Sequence, residues 1–310
     1  MSTEVSVTIC GCRGSYPVSG EDFVTYGGAT SCVVVRAGDR EIIFDAGSGI
    51  INYGRQLLRG ALSKGEAVTT SIFFSHSHFD HMVGLPYFAP IFHPASTIYL
   101  FGPRTSRFDS FEATVENLIR PPFYPVALHE MQAEKIFADM GAADTVYFLT
   151  DQDEPIKVKA AHAKDAHLIP DAADIEVKVS CMRGYNHPKS GISIYRIDAG
   201  DKSVVYATDT EGYVHGDQRL AEFSRDADLL IHDAMYTEAH YTSMPVPTQG
   251  YGHSTVKIAA NLASLAKVGK LCLFHHDPAS TDESLHQVGE DAREYFADTV
   301  VARDGLVIDL

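Results

Sequence analysis

Three histidines and an aspartate crowd into residues 75–85, SHSHFDHMVGL, and could together bind a metal ion. The stretch follows a continuous apolar run that is typical of a buried strand. Side chains two apart share a face of an extended chain, so His76 and His78 point the same way, with Asp80 and His81 beside them. Neutral imidazoles and a carboxylate are ligands for zinc and neighbouring first-row metals. The alternative is a polar loop, but four donors in this order favour a metal site.

The order of these residues, H-x-H-x-D-H followed by x-x-G, resembles the signature of the metallo-β-lactamase superfamily. The resemblance implies an α/β fold, a four-layer αββα sandwich in which this loop and later strand ends meet at one edge. Residues 1–310 are then expected to form a single metallo-β-lactamase-like domain. Residues 104–174 have weaker strand signals and two helical patterns, at 108–119 and 129–140. We expect this segment to be an elaboration or lid at the mouth of the site.

Later strand ends carry residues that resemble the remaining ligand motifs of the superfamily. The resemblance assigns His187 as the third ligand, Asp209 as a carboxylate that bridges two metals, and His275 as the last ligand. It makes His276 a supporting or substrate-contacting group. It also places Asp45 behind a ligand histidine, whose tautomer a hydrogen bond would fix. The alternative for Asp45 is a turn residue that caps the following helix.

The expected ligand set is complete and provides for two divalent metal ions. One ion would take His76, His78 and His187, the other would take Asp80, His81 and His275, and Asp209 would bridge them. Two divalent ions against two carboxylates leave the site positive, which favours an anionic substrate. Zinc is the first choice for these donors, and manganese and iron fit them as well.

The stretch GHST at residues 252–255, which opens a predicted helix at 256–266, narrows the resemblance to the ribonuclease Z and cyclic phosphodiesterase branch. The branch implies that His253 faces the scissile phosphate and helps to bind or protonate the leaving oxygen, with Ser254 and Asp233 as supporting or substrate-contacting groups. Free N–H groups at a helix N-terminus also favour anions. The alternative is that Ser254 only caps the helix and His253 is exposed. Asp233 stands where the branch usually has glutamate.

Composition points to a globular protein that binds neither membranes nor nucleic acid. The 310 residues include 41 acidic against 25 basic side chains, a net charge of −16, whereas loose binding to nucleic acid or anionic lipid needs lysine and arginine clusters. No apolar run reaches the roughly 18 residues of a membrane span, and no signal peptide is visible. Five cysteines, an odd number, agree with a reducing compartment. We therefore expect a cytoplasmic protein.

The predicted function is a dinuclear metal-dependent hydrolase, a phosphodiesterase acting on a small phosphodiester such as a cyclic nucleotide. Asp80 and His253 are the predicted catalytic residues. Only 21 residues lie between His187 and Asp209. That spacing leaves no room for the arm with which ribonuclease Z grips tRNA, so we expect a small anionic substrate and no stable nucleic-acid partner.

Two alternatives to this function stay open. The same site could hydrolyse a lactone, a thioester or a β-lactam, or the protein could be a non-hydrolytic metal or nucleotide sensor. A homodimer, common in this branch, is compatible with each of them.

Overall fold

The computed structural model describes residues 4–159, 167–213 and 216–310, in which the strands form two mixed sheets. The strands of the first sheet are β1 (Val5–Gly11), β2 (Cys32–Ala37), β3 (Arg40–Phe44), β4 (Thr69–Phe73), β5 (Thr97–Gly102), β6 (Glu134–Asp139) and β15 (Val307–Asp309). Their order across the sheet is β15-β1-β2-β3-β4-β5-β6. Pairing is antiparallel from β15 to β3 and parallel from β3 to β6.

The second sheet contains the remaining described strands. These are β7 (Asp144–Leu149), β8 (Ile156–Lys159), β9 (Ile175–Gly184), β10 (Ile192–Ala199), β11 (Lys202–Ala207), β12 (Leu229–Asp233), β13 (Lys270–Phe274) and β14 (Thr299–Val301). Their order is β14-β13-β12-β11-β10-β9-β7-β8. Pairing from β11 to β14 is parallel, so several strands of this sheet end at the same edge.

The two sheets pack face to face through a shared hydrophobic cluster. Phe44 of β3 meets the rings of Tyr195 and Tyr206 in the second sheet at centroid distances of 5.7 and 5.6 Å. Most of the other buried side chains of this cluster come from β1 to β5 and β15 of the first sheet and from β7 and β9 to β13 of the second. Apolar residues that alternate along both sheets thus bury one face of each against the other.

Helices cover the outer faces of both sheets. They are α1 (Ile50–Lys64), α2 (Phe111–Leu118), α3 (Gln218–Phe223), α5 (Val256–Ala266) and α6 (Asp282–Tyr295), whereas the short α4 (Glu238–Thr242) has no buried residue. Helices α1 and α2 share a buried cluster with the first sheet, and α3, α5 and α6 share one with the second. The predicted αββα sandwich is confirmed. Within the described ranges, no helix has the length and apolar character needed to cross a lipid bilayer.

The segment 104–174 contains both a confirmed and a wrong prediction of secondary structure. The helix predicted at 108–119 is α2, but the helix predicted at 129–140 is wrong, because Glu134–Asp139 forms β6. This stretch pairs in parallel with β5, with Leu100 opposite Phe137, and strand pairing overrides a helical sequence period. The segment also supplies β7 and β8 to the second sheet. Its role as a lid stays a prediction, and residues 160–166 lie outside the described chain.

Candidate metal centre

The predicted site residues gather at the edge where strands of both sheets end. Asp45 follows β3, and residues 75–81 follow β4. From the second sheet, His187 lies three residues beyond β9, Asp209 follows β11 and His275 follows β13. The centre therefore lies on the seam between the sheets, and the chain must fold as a whole to assemble it.

One group of donor atoms comes from His76, His78, His187 and Asp209, all within 4.8 Å of one another. The Nε2 atom of His187 lies 3.0 Å from Nδ1 of His78 and 3.6 Å from Oδ2 of Asp209. The Nε2 atom of His76 lies 3.7 Å from the same carboxylate oxygen. The His76 and His187 nitrogens thus converge on one oxygen of Asp209, and the His78 nitrogen lies beside that of His187.

A second group consists of Asp80, His81, His275 and again Asp209. The Nε2 atoms of His81 and His275 each lie 3.1 Å from Oδ1 of Asp209 and 3.2 Å from Oδ2 of Asp80. The two Nε2 atoms are 3.3 Å apart. Asp209 therefore turns one carboxylate oxygen to each group, which is the arrangement that a bridging ligand requires.

The hydrogen bonding and the pKa directions of the donors fit divalent metal ions. Nε2 of His76 is buried and has no hydrogen-bond partner in the described chain, although its Nδ1 lies 3.0 Å from the Ser75 hydroxyl. Burial lowers the pKa of His76 well below its usual range, so the ring is neutral, as a ligand must be. Burial alone would raise the pKa of Asp209, but the histidines around it, led by His275, hold it well below the usual range. Neutral imidazoles and ionised carboxylates suit zinc and its first-row neighbours.

Asp45 contacts His81 on the side of the ring that faces away from the second group. Its buried carboxylate lies 2.7 Å from Nδ1 of His81 and accepts hydrogen bonds from the Ser75 backbone and hydroxyl at 2.7 Å and from the Tyr206 hydroxyl at 2.8 Å. These bonds leave Nε2 of His81 directed into the second group. Asp45, Asp209 and His275 have φ values of 58°, 48° and 59°, so three residues at strand ends are held in the left-handed region.

His253 lies beside the two groups and is tied to Asp233. Its Nδ1 is 2.7 Å from Oδ2 of Asp233, and its ring stacks on His275 at a centroid distance of 4.9 Å. Burial lowers the pKa of His253, but the charge of Asp233 outweighs burial and raises this pKa to about 9. His253 is buried, with 8 % of its surface exposed, so the alternative of an exposed residue is wrong.

Ser254 and His276 lie close to the centre in sequence but take different roles. Ser254 donates to the Thr210 carbonyl at 2.5 Å, whereas the hydroxyl of Thr255 caps α5 by accepting from Ile258. The alternative that Ser254 caps the helix is therefore wrong. His276 belongs to neither donor group, and its Nε2 lies 2.9 Å from the Ala302 carbonyl. This bond ties His276 to the residue that follows β14.

Two contacts of the centre are not predictable from the sequence. The backbone N–H of Ser15 donates to Oδ2 of Asp80 at 2.8 Å, across 65 residues of sequence. A Cβ atom on Gly14 would lie 2.4 Å from the His275 ring, so only glycine fits there. The glycine-rich loop after β1 was the one available signal, and its composition indicates a turn without identifying what the turn contacts.

The fold agrees with comparisons against known proteins. A family model described as a beta-lactamase superfamily domain matches residues 40–276. The chain belongs to the beta-lactamase superfamily. It is 26 % identical to a ribonuclease Z of Thermoplasma acidophilum over 98 % of this chain and 96 % of that protein. The predicted superfamily and the predicted hydrolase class are confirmed.

Two solved structures show the same fold. One is the metallo-beta-lactamase fold protein YhfI of Bacillus subtilis, with a TM-score of 0.63 and 20 % identity, covering 99 % of this chain and 100 % of that one. The other is the short form of human tRNase Z, with a TM-score of 0.62 and 21 % identity, covering 98 % of each chain.

These comparisons correct the expectation about partners. We expected a small anionic substrate, no stable nucleic-acid binding and no tRNA arm, but the relatives are named ribonuclease Z and tRNase Z. The net charge of −16 is a property of the whole chain, whereas recognition of a substrate depends on the charge at the site itself.

Proposed function

We propose that the protein is a phosphodiesterase that works with two divalent metal ions, with zinc as the first choice. The observation that carries this proposal is the position of Asp209, whose two oxygens face two separate sets of buried imidazoles. His76, His78 and His187 would hold one ion, and Asp80, His81 and His275 the other. Bound ions would polarise a phosphoryl oxygen and activate a water molecule for attack.

The side chains around the ions would handle the protons of the reaction. Asp80 would position the attacking water as well as bind metal, since its carboxylate reaches the second group and is held from behind by the Ser15 N–H. His253 would protonate the leaving oxygen. Asp233 occupies its Nδ1, and its Nε2 has no hydrogen-bond partner in the described chain, so Nε2 is available to the substrate.

Exposed aromatic rings beside the site support a substrate that carries nucleobases. Tyr16, Phe79, Tyr185 and Tyr251 are 58, 63, 74 and 53 % exposed. Each lies one or two residues from Ser15, Asp80, His187 or His253. None of the four rings has a ring–ring contact or a side-chain hydrogen bond within the described ranges. Aromatic rings stack on nucleobases with little regard to sequence, so the class includes RNA as well as a small diester such as a cyclic nucleotide.

The test is hydrolysis of a panel by protein loaded with zinc or manganese. The panel contains bis(p-nitrophenyl) phosphate, cyclic nucleotides, a precursor tRNA, a lactone and a chromogenic β-lactam. We expect the wild type to cleave diesters and Asp80→Ala to lose this activity. In His253→Ala the rate of cleavage should fall about 10²- to 10⁴-fold, with metal content unchanged. Turnover of the lactone or β-lactam alone would refute the phosphodiesterase. A nucleotide bound without turnover would instead identify a sensor.

A further inference from the structure

Glu211 lies two residues beyond Asp209 and fastens the loop that leads into His253. Its Oε1 accepts hydrogen bonds from the Tyr241 hydroxyl and from the backbone N–H of Gly250, the latter at 2.7 Å. Its Oε2 accepts from the backbone N–H of Gly252 at 2.9 Å. A single carboxylate thus holds the end of α4 and the loop that follows it, up to Gly252, at three points.

The end of this loop presses on His187. The carbonyl oxygen of Gly252 lies 3.0 Å from Nδ1 of His187. Gly252 has a φ of 90°, and a Cβ atom there would lie 2.3 Å from the same Nδ1, so the backbone approaches the ring as closely as only glycine allows. The position of this carbonyl therefore fixes the orientation of the imidazole.

We propose that Glu211 is a positioning residue for the metal centre. By fastening Gly252 it holds His187 as the tautomer protonated on Nδ1, with Nε2 turned towards His78 and Asp209. The same bonds hold the backbone on which His253 follows. The assignment of His187 as a ligand rests on the proposed function, but the orientation of its ring does not.

A second set of bonds in this region allows the side chain to be tested separately from the backbone. Nδ2 of Asn186 donates to the Glu211 carbonyl and, at 2.6 Å, to the Thr210 hydroxyl. These bonds involve no atom of the Glu211 carboxylate, so they survive a substitution of its side chain. A change confined to the carboxylate therefore releases the loop while Asn186 still anchors the chain before His187.

The experiment compares three variants that remove increasing parts of this anchor. Tyr241→Phe removes one donor and leaves both backbone bonds. Glu211→Gln retains one acceptor oxygen and turns an NH2 group towards backbone donors, and Glu211→Ala removes all three bonds. The matched control is Glu222→Gln, an exposed glutamate on α3 whose partner is Arg225.

Two readouts are independent of turnover. In metal-free protein, ¹⁵N NMR should show His187 protonated on Nδ1 in the wild type and a mixture of tautomers in Glu211→Ala. In zinc titrations, one of the two sites should weaken by about 10- to 100-fold in Glu211→Ala, as is typical when the partner of a ligand histidine is lost. Glu211→Gln should be intermediate, and Tyr241→Phe and the control should match the wild type.

An unchanged tautomer and unchanged zinc affinities in the Glu211 variants would overturn the inference. If Glu211→Ala does not fold by circular dichroism, Glu211→Gln decides the question by the same readouts. A wild-type protein that binds zinc and shows the expected tautomer but cleaves no phosphodiester would refute the proposed function and leave the role of Glu211 standing.

Discussion

At the scale of single residues, the centre depends on how three of its histidines are held from behind. His81 is held by Asp45, His253 by Asp233 and His187 by the Gly252 carbonyl, and in each case the bond is made by Nδ1. The opposite nitrogen of His81 and of His187 is then turned to the donor groups. Such partners of a ligand fix its tautomer and raise its basicity.

Replacing Asp45 with asparagine should damage the second group more than the first. The new NH2 group would face at least one of the donors that the carboxylate now accepts from, namely His81, Ser75 and Tyr206. We expect zinc affinity at one of two sites to fall about 10- to 100-fold, and the free energy of unfolding to drop by about 1–3 kcal/mol. Zinc titration and denaturant unfolding measure the two effects. Asp39→Asn in an exposed turn is the control, and equal losses in both variants would contradict the assignment.

Tyr185→Ala should weaken substrates that carry a base and spare those that do not. Loss of one stacked base costs about 1–3 kcal/mol, so KM for a short RNA should rise by roughly 5- to 150-fold. An RNA with an abasic residue at the stacked position should show a much smaller change. Tyr295→Ala on α6 controls for loss of an exposed tyrosine, and an equal rise in KM for both RNAs would argue against stacking.

At the scale of elements, two loops approach the centre closely. Gly14 presses on His275 and Gly252 on His187, and neither leaves space for a Cβ atom. The strands are fixed by pairing and by the buried aromatic cluster, so they cannot shift to make room for a larger residue in these loops. A small change in a loop is then transmitted directly to a ligand.

Gly14→Ala should therefore disturb the second group. The added methyl would overlap the His275 ring, and overpacking of this kind costs about 1–3 kcal/mol. We expect weaker zinc binding at one site and lower thermal stability. Gly60→Ala is the matched control, because Gly60 lies in α1 with nothing within 4 Å of an added Cβ, and it should gain about 0.5–1 kcal/mol. Similar zinc affinities in the two variants would show that the Gly14 loop does not position His275.

The elements that were predictable from sequence are those whose signal is local. Apolar runs that end in a histidine or an aspartate located β4, β11 and β13 and the residues that follow them, and the capped pattern at 256–266 located α5. The helix predicted at 129–140 failed because pairing with β5 decides the conformation of β6. Glu211, Ser15 and Tyr206 were missed because their contacts join residues 30 to 161 positions apart, for which one sequence carries no signal.

At the scale of the whole molecule, the centre joins the two halves of the sandwich. Donors on the loop after β4 come from the first sheet, and His187, Asp209 and His275 come from the second. Neighbouring imidazoles and carboxylates lie 3.0–3.7 Å apart. Ions bound between them would cross-link the sheets, and a ligand that binds only the folded chain stabilises it.

Removal of metal should therefore lower the thermal stability of the entire domain. At a free zinc concentration 100 times the Kd, one site contributes about 2.7 kcal/mol. Calorimetry of chelated and zinc-loaded protein should show a single transition that moves to higher temperature with zinc. An unchanged Tm at saturating zinc would argue against metal binding at the seam, and His76→Ala should reduce the shift.

The divided carboxylate of Asp209 has a consequence for the order in which the protein is loaded. An ion bound at one site would withdraw electron density from the Asp209 carboxylate, which the other site shares. Asp209 would therefore be a weaker ligand for the second ion. The two occupancies would then be thermodynamically linked, and the linkage would be reciprocal. At limiting metal supply, the population would be dominated by half-loaded molecules, and activity would follow the scarcer, doubly loaded fraction with a sigmoidal dependence on metal concentration.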